Sequence, residues 1–62
     1  MMIRVPEGER YYYIRGSMFK RPLVCVTYDC NDLTDELRIK GNNYFLTRYA
    51  AEEGIPEFIL NN

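Results

Sequence analysis

Arg10-Tyr-Tyr-Tyr-Ile-Arg15, with Lys20-Arg21 close behind, is the stretch of this chain best equipped for recognition chemistry. In an extended strand alternate side chains share a face, so Tyr11, Tyr13 and Arg15 fall together and Arg10, Tyr12 and Ile14 fall opposite. With Tyr12 and Ile14 turned inward, two phenol rings and a guanidinium line an outer surface near Lys20 and Arg21. Aromatic rings beside cations can stack nucleobases and neutralise phosphates. The same composition serves protein contact, because Tyr and Arg are enriched where binding energy concentrates. Plain sheet surface explains the pattern most simply, protein interface ranks next, and single-stranded nucleic acid after it. Tyr11, Tyr13, Arg15, Lys20 and Arg21 are therefore the expected contact surface.

Other constellations offer less. The chain has no histidine, which removes the commonest general base. Asp29, Asp32, Asp35 and Glu36 cluster in sequence but lack the glycine and twelve-residue ligand rhythm of a calcium loop. Helix capping and solvation account for them. Cys25 and Cys30, if joined by extended chain, stand roughly 16 Å apart and cannot bridge. Two thiols without histidine cannot close a tetrahedral zinc site in one chain unless carboxylates or a second subunit help. Cys30 precedes an expected helix start, yet its neighbours Asp29 and Asp32 would raise its pKa rather than activate it. Buried small hydrophobes are the default for both. No phosphate loop, Ser-His-Asp set or Cys-x-x-Cys pair is present. The expectation is no catalytic, cofactor or metal site, and no enzyme.

Length and charge set the frame. Sixty-two residues make a single small domain, 1–62. A chain this short buries only about 60% of its unfolded surface, so a homodimer or a larger partner would relieve the shortage of core. Net charge is −1, but residues 1–24 carry five cations and two anions while residues 25–62 carry three and seven. A basic strand region and an acidic helical region follow, an asymmetry that orients encounters rather than fixing a fold. No leader or long apolar run is legible, so the expectation is a soluble cytoplasmic chain with no membrane partner.

The elements that must position these residues read as strands first and helices after. Residues 2–5 alternate over a short span and form a candidate third strand, ended by the turn chemistry of Pro6-Glu-Gly-Glu9. Arg10 to Arg15 and Leu23 to Tyr28 suit a pleated, half-buried surface and predict an antiparallel hairpin. Pro22 is acceptable at a strand's start because it need not donate there. Asp32 with Asp35 three residues on predicts a capped helix over 32–40, stopped at Gly41. A second helix is expected over 43–53, stopped by Gly54 in the left-handed conformation, then Ile55-Pro56 and a short turn over 57–60. The competing reading makes 37–49 a second hairpin looped through Lys40-Gly-Asn-Asn43.

Residues 46–60 place Ala50, Gly54 and Ile55 in an order that resembles a helix-turn-helix. Glu53 stands where that motif wants an apolar residue, and Pro56 falls at the turn. The would-be reading helix after it is short and lacks a cation for phosphates. The chain is not placed in that family. The resulting expectation is a small α+β domain: a two- or three-stranded antiparallel sheet with two short C-terminal helices packed on one face. Its core would draw on Ile14, Val24, Val26, Leu33, Leu37, Phe45, Leu46, Tyr49, Ile55 and Phe58. The expected function is a noncatalytic binding, adaptor or regulatory module working through contact with a larger protein. The alternatives are single-stranded nucleic-acid binding through the aromatic–basic hairpin and a structural subunit that associates with itself.

Overall fold

A computed structural model describes residues 4–17 and 20–60. Strands β1 (Arg10–Ser17) and β2 (Lys20–Tyr28) form an antiparallel hairpin. Helices α1 (Leu33–Lys40), α2 (Arg48–Glu53) and α3 (Ile55–Leu60) follow. The small α+β architecture is the expected one, with the last turn of the chain lengthened into a third helix. Tyr11 pairs with Thr27, Tyr13 with Cys25 and Arg15 with Leu23, and the register slips after Arg15. Gly8, at φ 92°, turns the chain into β1 and donates to the Asp29 carbonyl at 2.7 Å. Only glycine takes that backbone without strain.

Beside β1, opposite β2, the described residues place no part of the candidate third strand 2–5. Met2 and Ile3 lie outside the described residues, and Arg4 and Val5 are not in a strand. Phe45 sits there instead, exchanging both main-chain bonds with Tyr12 at 2.8 Å. One step along, the Asn43 carboxamide accepts from the Ile14 N–H at 2.7 Å and donates to its carbonyl at 2.9 Å. A carboxamide carries the same donor and acceptor as a peptide group, so Asn43 extends the ladder with its side chain.

That pairing shortens the second expected helix and removes the competing hairpin over 37–49. The second helix starts at Arg48 rather than 43, with Thr47 as N-cap accepting from Ala50 N–H at 3.0 Å. The aromatic pair Tyr44-Phe45 gains more as extended chain against β1 than as a first helical turn. Nor is there a second hairpin, because α1 runs unbroken to Lys40. Its start is as expected: Asp32 and Asp35 form a reciprocal capping box. The helices stop at Gly41 and Gly54 as expected, but without a left-handed glycine. Gly41 and Gly54 keep right-handed backbone, at φ −86° and −83°, and Asn42 takes the left-handed position at 57°. Gly54 serves close approach, since a Cβ there would come within 2.8 Å of the Phe45 ring.

The interior also departs from expectation. Ile14 is buried, and Val24, Phe45, Ile55 and Phe58 are half-buried. Val26, Leu33, Leu37, Leu46 and Tyr49 are exposed instead. Their places go to Tyr11, Tyr44, Ala51 and two aspartates, Asp29 and Asp35. The reason is the demand of buried phenols for partners. The Tyr11 and Tyr44 rings stack at 4.1 Å. The Tyr11 hydroxyl donates to Asp35 Oδ1 and accepts from Arg38 at 2.8 Å, so α1 turns its polar edge inward and its leucines outward. Tyr44 donates to Asp29 Oδ2 at 2.8 Å and accepts from the Val5 N–H. Asp29 also takes two bonds from Arg4, at 2.7 and 2.9 Å, and one from the Asn31 N–H. The helices divide accordingly. Arg38 of α1 reaches the Tyr11–Tyr13 side of the sheet, while Phe58 of α3 lies near Gly16 and Pro22, beside Ile14.

Arg4 holds the Asp29 carboxyl well below the usual carboxylate range, against the opposing pull of burial. Burial pushes Asp35 up, but its bonds from Tyr11 and from the Cys30 and Asp32 N–H groups outweigh this and leave it lowered. Tyr11 is pushed up to about 12, by burial first and by its bond to Asp35. Tyr44 is raised chiefly by burial. Lowered carboxylates stabilise the fold above the unfolded aspartate value and lose that contribution as pH falls through the native one. Raised phenols do the reverse, contributing below the unfolded tyrosine value and losing it as pH climbs through the native one. Urea unfolding should therefore give a plateau between about pH 5 and 9, with stability falling on either side. Asp29→Asn should cost about 3 kcal/mol at neutral pH, because it takes the buried carboxylate from Arg4 and leaves it Glu36 alone as a charged partner, and should flatten the acid limb.

Candidate interaction surface

The five residues expected to form one surface divide into two groups. Tyr11 is fully enclosed, which corrects its assignment to the outer face. The period-two reading placed Tyr12 and Ile14 inward, but Tyr44 covers Tyr11 from the other side of the sheet. Tyr13 is half-buried, and the Arg38 guanidinium lies 3.8 Å from its ring centre. That ring already has a cation over its face. Arg15, Lys20 and Arg21 are exposed. They come together around an open groove of about 640 Å³ floored by Leu23 and Cys25, with no acidic residue in its lining.

A second feature, not anticipated as a site, lies along β2. Alternate residues of an antiparallel strand aim their main-chain groups at opposite neighbours. Tyr12 and Ile14 bond to Phe45 and Asn43, away from β2, so Tyr11, Tyr13 and Arg15 bond to Thr27, Cys25 and Leu23. Val24, Val26 and Tyr28 therefore turn their N–H and C=O groups outward, where no strand among the described residues meets them. The weak thiol donor of Cys30 touches the Tyr28 carbonyl at 3.6 Å. Pro22 shares this outward register and has no N–H to offer. Along the same strand Leu23 is 65% exposed, Val26 50% and Tyr28 61%.

The signal for this edge was present in Val24-Cys-Val-Thr-Tyr28, an uncharged run bounded by Pro22. Natural edge strands are usually blunted by charge, proline or a bulge, and this one is blunted at its first residues only. Which edge stayed open depended on Phe45 and Asn43, whose pairing with β1 is remote in sequence.

Asp29 is saturated from within: its two oxygens accept from Arg4 twice, Tyr44 and Asn31. Asp35 is likewise engaged by Tyr11, Cys30 and Asp32. The helix capping expected of the acidic cluster holds in the Asp32–Asp35 box, and Asp32 is exposed, but Asp29 and Asp35 are buried as a bracket for α1 and β2 rather than solvated. The thiols are free; Cys25 is half-buried and Cys30 exposed, so burial describes neither fully. Among the described residues no helix is long and apolar enough to cross a membrane. Comparison with protein-family models, curated proteins and solved structures finds no match to the chain.

The two groups should separate in one stability measurement. Tyr11→Phe, which leaves the buried Asp35 carboxylate and Arg38 without their shared hydroxyl, should cost about 2 kcal/mol in urea. Arg15→Ala, Lys20→Ala and Arg21→Ala should each stay within about 0.5 kcal/mol of the unaltered chain.

Proposed function

We propose that this chain is a noncatalytic protein-binding module that takes up an extended strand along the outer edge of β2. The unpaired row of Val24, Val26 and Tyr28 is the observation that carries this reading. Main-chain hydrogen bonds supply affinity in strand addition, and alternate side chains supply selectivity. Leu23 on one face of β2, and Val26 and Tyr28 on the other, are exposed to read an incoming segment. Arg15, Lys20 and Arg21, at the far end, favour a partner that carries acid beside its apolar residues.

The noncatalytic reading rests on how the ionisable groups are used. The strongly shifted carboxylates spend their lone pairs on intramolecular donors, with none aimed into the groove. The nucleic-acid alternative keeps its cations but loses its stacking platform, since Tyr11 is enclosed and Tyr13 lies beneath Arg38.

Val26→Pro removes one outward N–H and leaves the bonds to β1 intact, a substitution an edge strand tolerates. Immobilised wild type should retain one or more proteins, its own copy included, that Val26→Pro retains at least about tenfold less. Lys40→Ala on α1 should retain them unchanged. Equal retention by all three baits, with the fold of Val26→Pro checked by circular dichroism, would overturn the strand-addition reading.

A further inference from the structure

We infer that the segment added to β2 is β2 of a second copy, giving a two-fold dimer centred on Val26. This rests on the strand-addition reading and names its partner. The register follows from which main-chain groups are available. With Val26 opposite Val26 of the second copy, Val24 meets Tyr28 and Tyr28 meets Val24, so these three outward residues each exchange both their bonds. Shifting the centre toward the hairpin tip brings Pro22, without an N–H, opposite a donor-seeking residue. Shifting it the other way sets Val24 against Cys30, whose N–H is already given to Asp35 at 2.9 Å.

The side chains agree with this register. Val24 beside Tyr28 of the second copy is a β-branched–aromatic pair, a favourable cross-strand combination. Nothing between Val24 and Tyr28 is charged, so no like charges meet at the two-fold axis. Antiparallel pairing also directs the exposed Lys20, at the hairpin-tip end of β2, toward the end of the second copy where the chain turns at Asn31 and the exposed Asp32 opens α1, and the relation repeats by symmetry. Basic hairpin tips thus approach acidic helix starts, which is the charge asymmetry of the two halves of the chain put to use.

The opposite side of the sheet limits the assembly. β1 spends its outer ladder on Phe45 and Asn43, leaving β2 as the open edge among the described strands. Pairing of one open edge with its own copy is isologous and closes at two, where two open edges would propagate.

Sedimentation from about 1 to 500 µM should show a species of twice 7.4 kDa that dissociates on dilution. Val26→Pro should raise the dimer Kd by about 100-fold or more, and Lys20→Glu by about tenfold, the latter effect shrinking in high salt. A cross-linking arm tests register even if Val26→Pro misfolds. In a Cys25→Ser/Cys30→Ser background, Val26→Cys should form an intermolecular disulfide on mild oxidation. Thr27→Cys should not, because it faces position 25 of the second copy. A monomer at every concentration, a dimer indifferent to Val26→Pro, or preferential cross-linking through Thr27→Cys would each overturn the proposal. If the chain is monomeric yet its captured proteins still depend on Val26, the second copy is the wrong partner and strand addition stands. If both dependences vanish, both fall.

Discussion

A phenol ring can be buried for its area, but its hydroxyl must be met by a partner, and the whole of this small structure is arranged around meeting two of them. Tyr11 and Tyr44 stack face to face, worth about 1 kcal/mol beyond the area they hide. Their hydroxyls end on Asp35 and Asp29, hydrogen bonds to charged groups of about 1.5–3 kcal/mol each. Asp35 belongs to α1 and Asp29 follows β2, so the two bonds tie the helix and the end of the hairpin to one pair of rings. Arg4 and the Val5 N–H fasten the N-terminal segment to the same place. With Ile14 and Ala51 the other buried apolar residues among those described, this polar cluster does much of what an aliphatic core does in a longer chain.

The sheet inherits a polarity from that arrangement. Tyr44 can stack on Tyr11 only if its own segment runs alongside β1, and once it does, Phe45 and Asn43 occupy the ladder on that side. The outer row of β2 is met by no described strand. Core and open edge are therefore consequences of one event. The exposed Leu33 and Leu37 belong to it too, since α1 had to present Asp35 and Arg38 to the rings and could not also present its leucines.

Local chemistry was legible in the sequence wherever a signal and its effect lay within a few residues. The hairpin, the Asp32–Asp35 capping box and the small α+β class all follow from neighbours in the chain. The burial of Tyr11 was not legible, because it depends on Tyr44, thirty-three positions on, and alternation along β1 says nothing about which face another segment will cover. The core list failed for a related reason. It ranked residues by hydrophobicity, whereas Asp29 and Asp35 enter the interior as acceptors demanded by the hydroxyls. Of the anticipated contact residues, Arg15, Lys20 and Arg21 stay at the surface, around a groove whose lining holds no acid. The open edge was half visible, as an uncharged β-favouring run, but its openness was decided from the far end of the chain.

The bridge from Tyr12 to Phe45 also bears on how the molecule is made. Synthesis runs from the N-terminus, so both strands leave the ribosome well before the aromatic lid that closes over them. A hairpin formed in that interval would carry Tyr11 bare and both of its edges unpaired, the state in which extended chains adhere most readily to others. Pairing of Phe45 with Tyr12 ends that exposure on one side, and Gly54, after α2, yields room to the Phe45 ring.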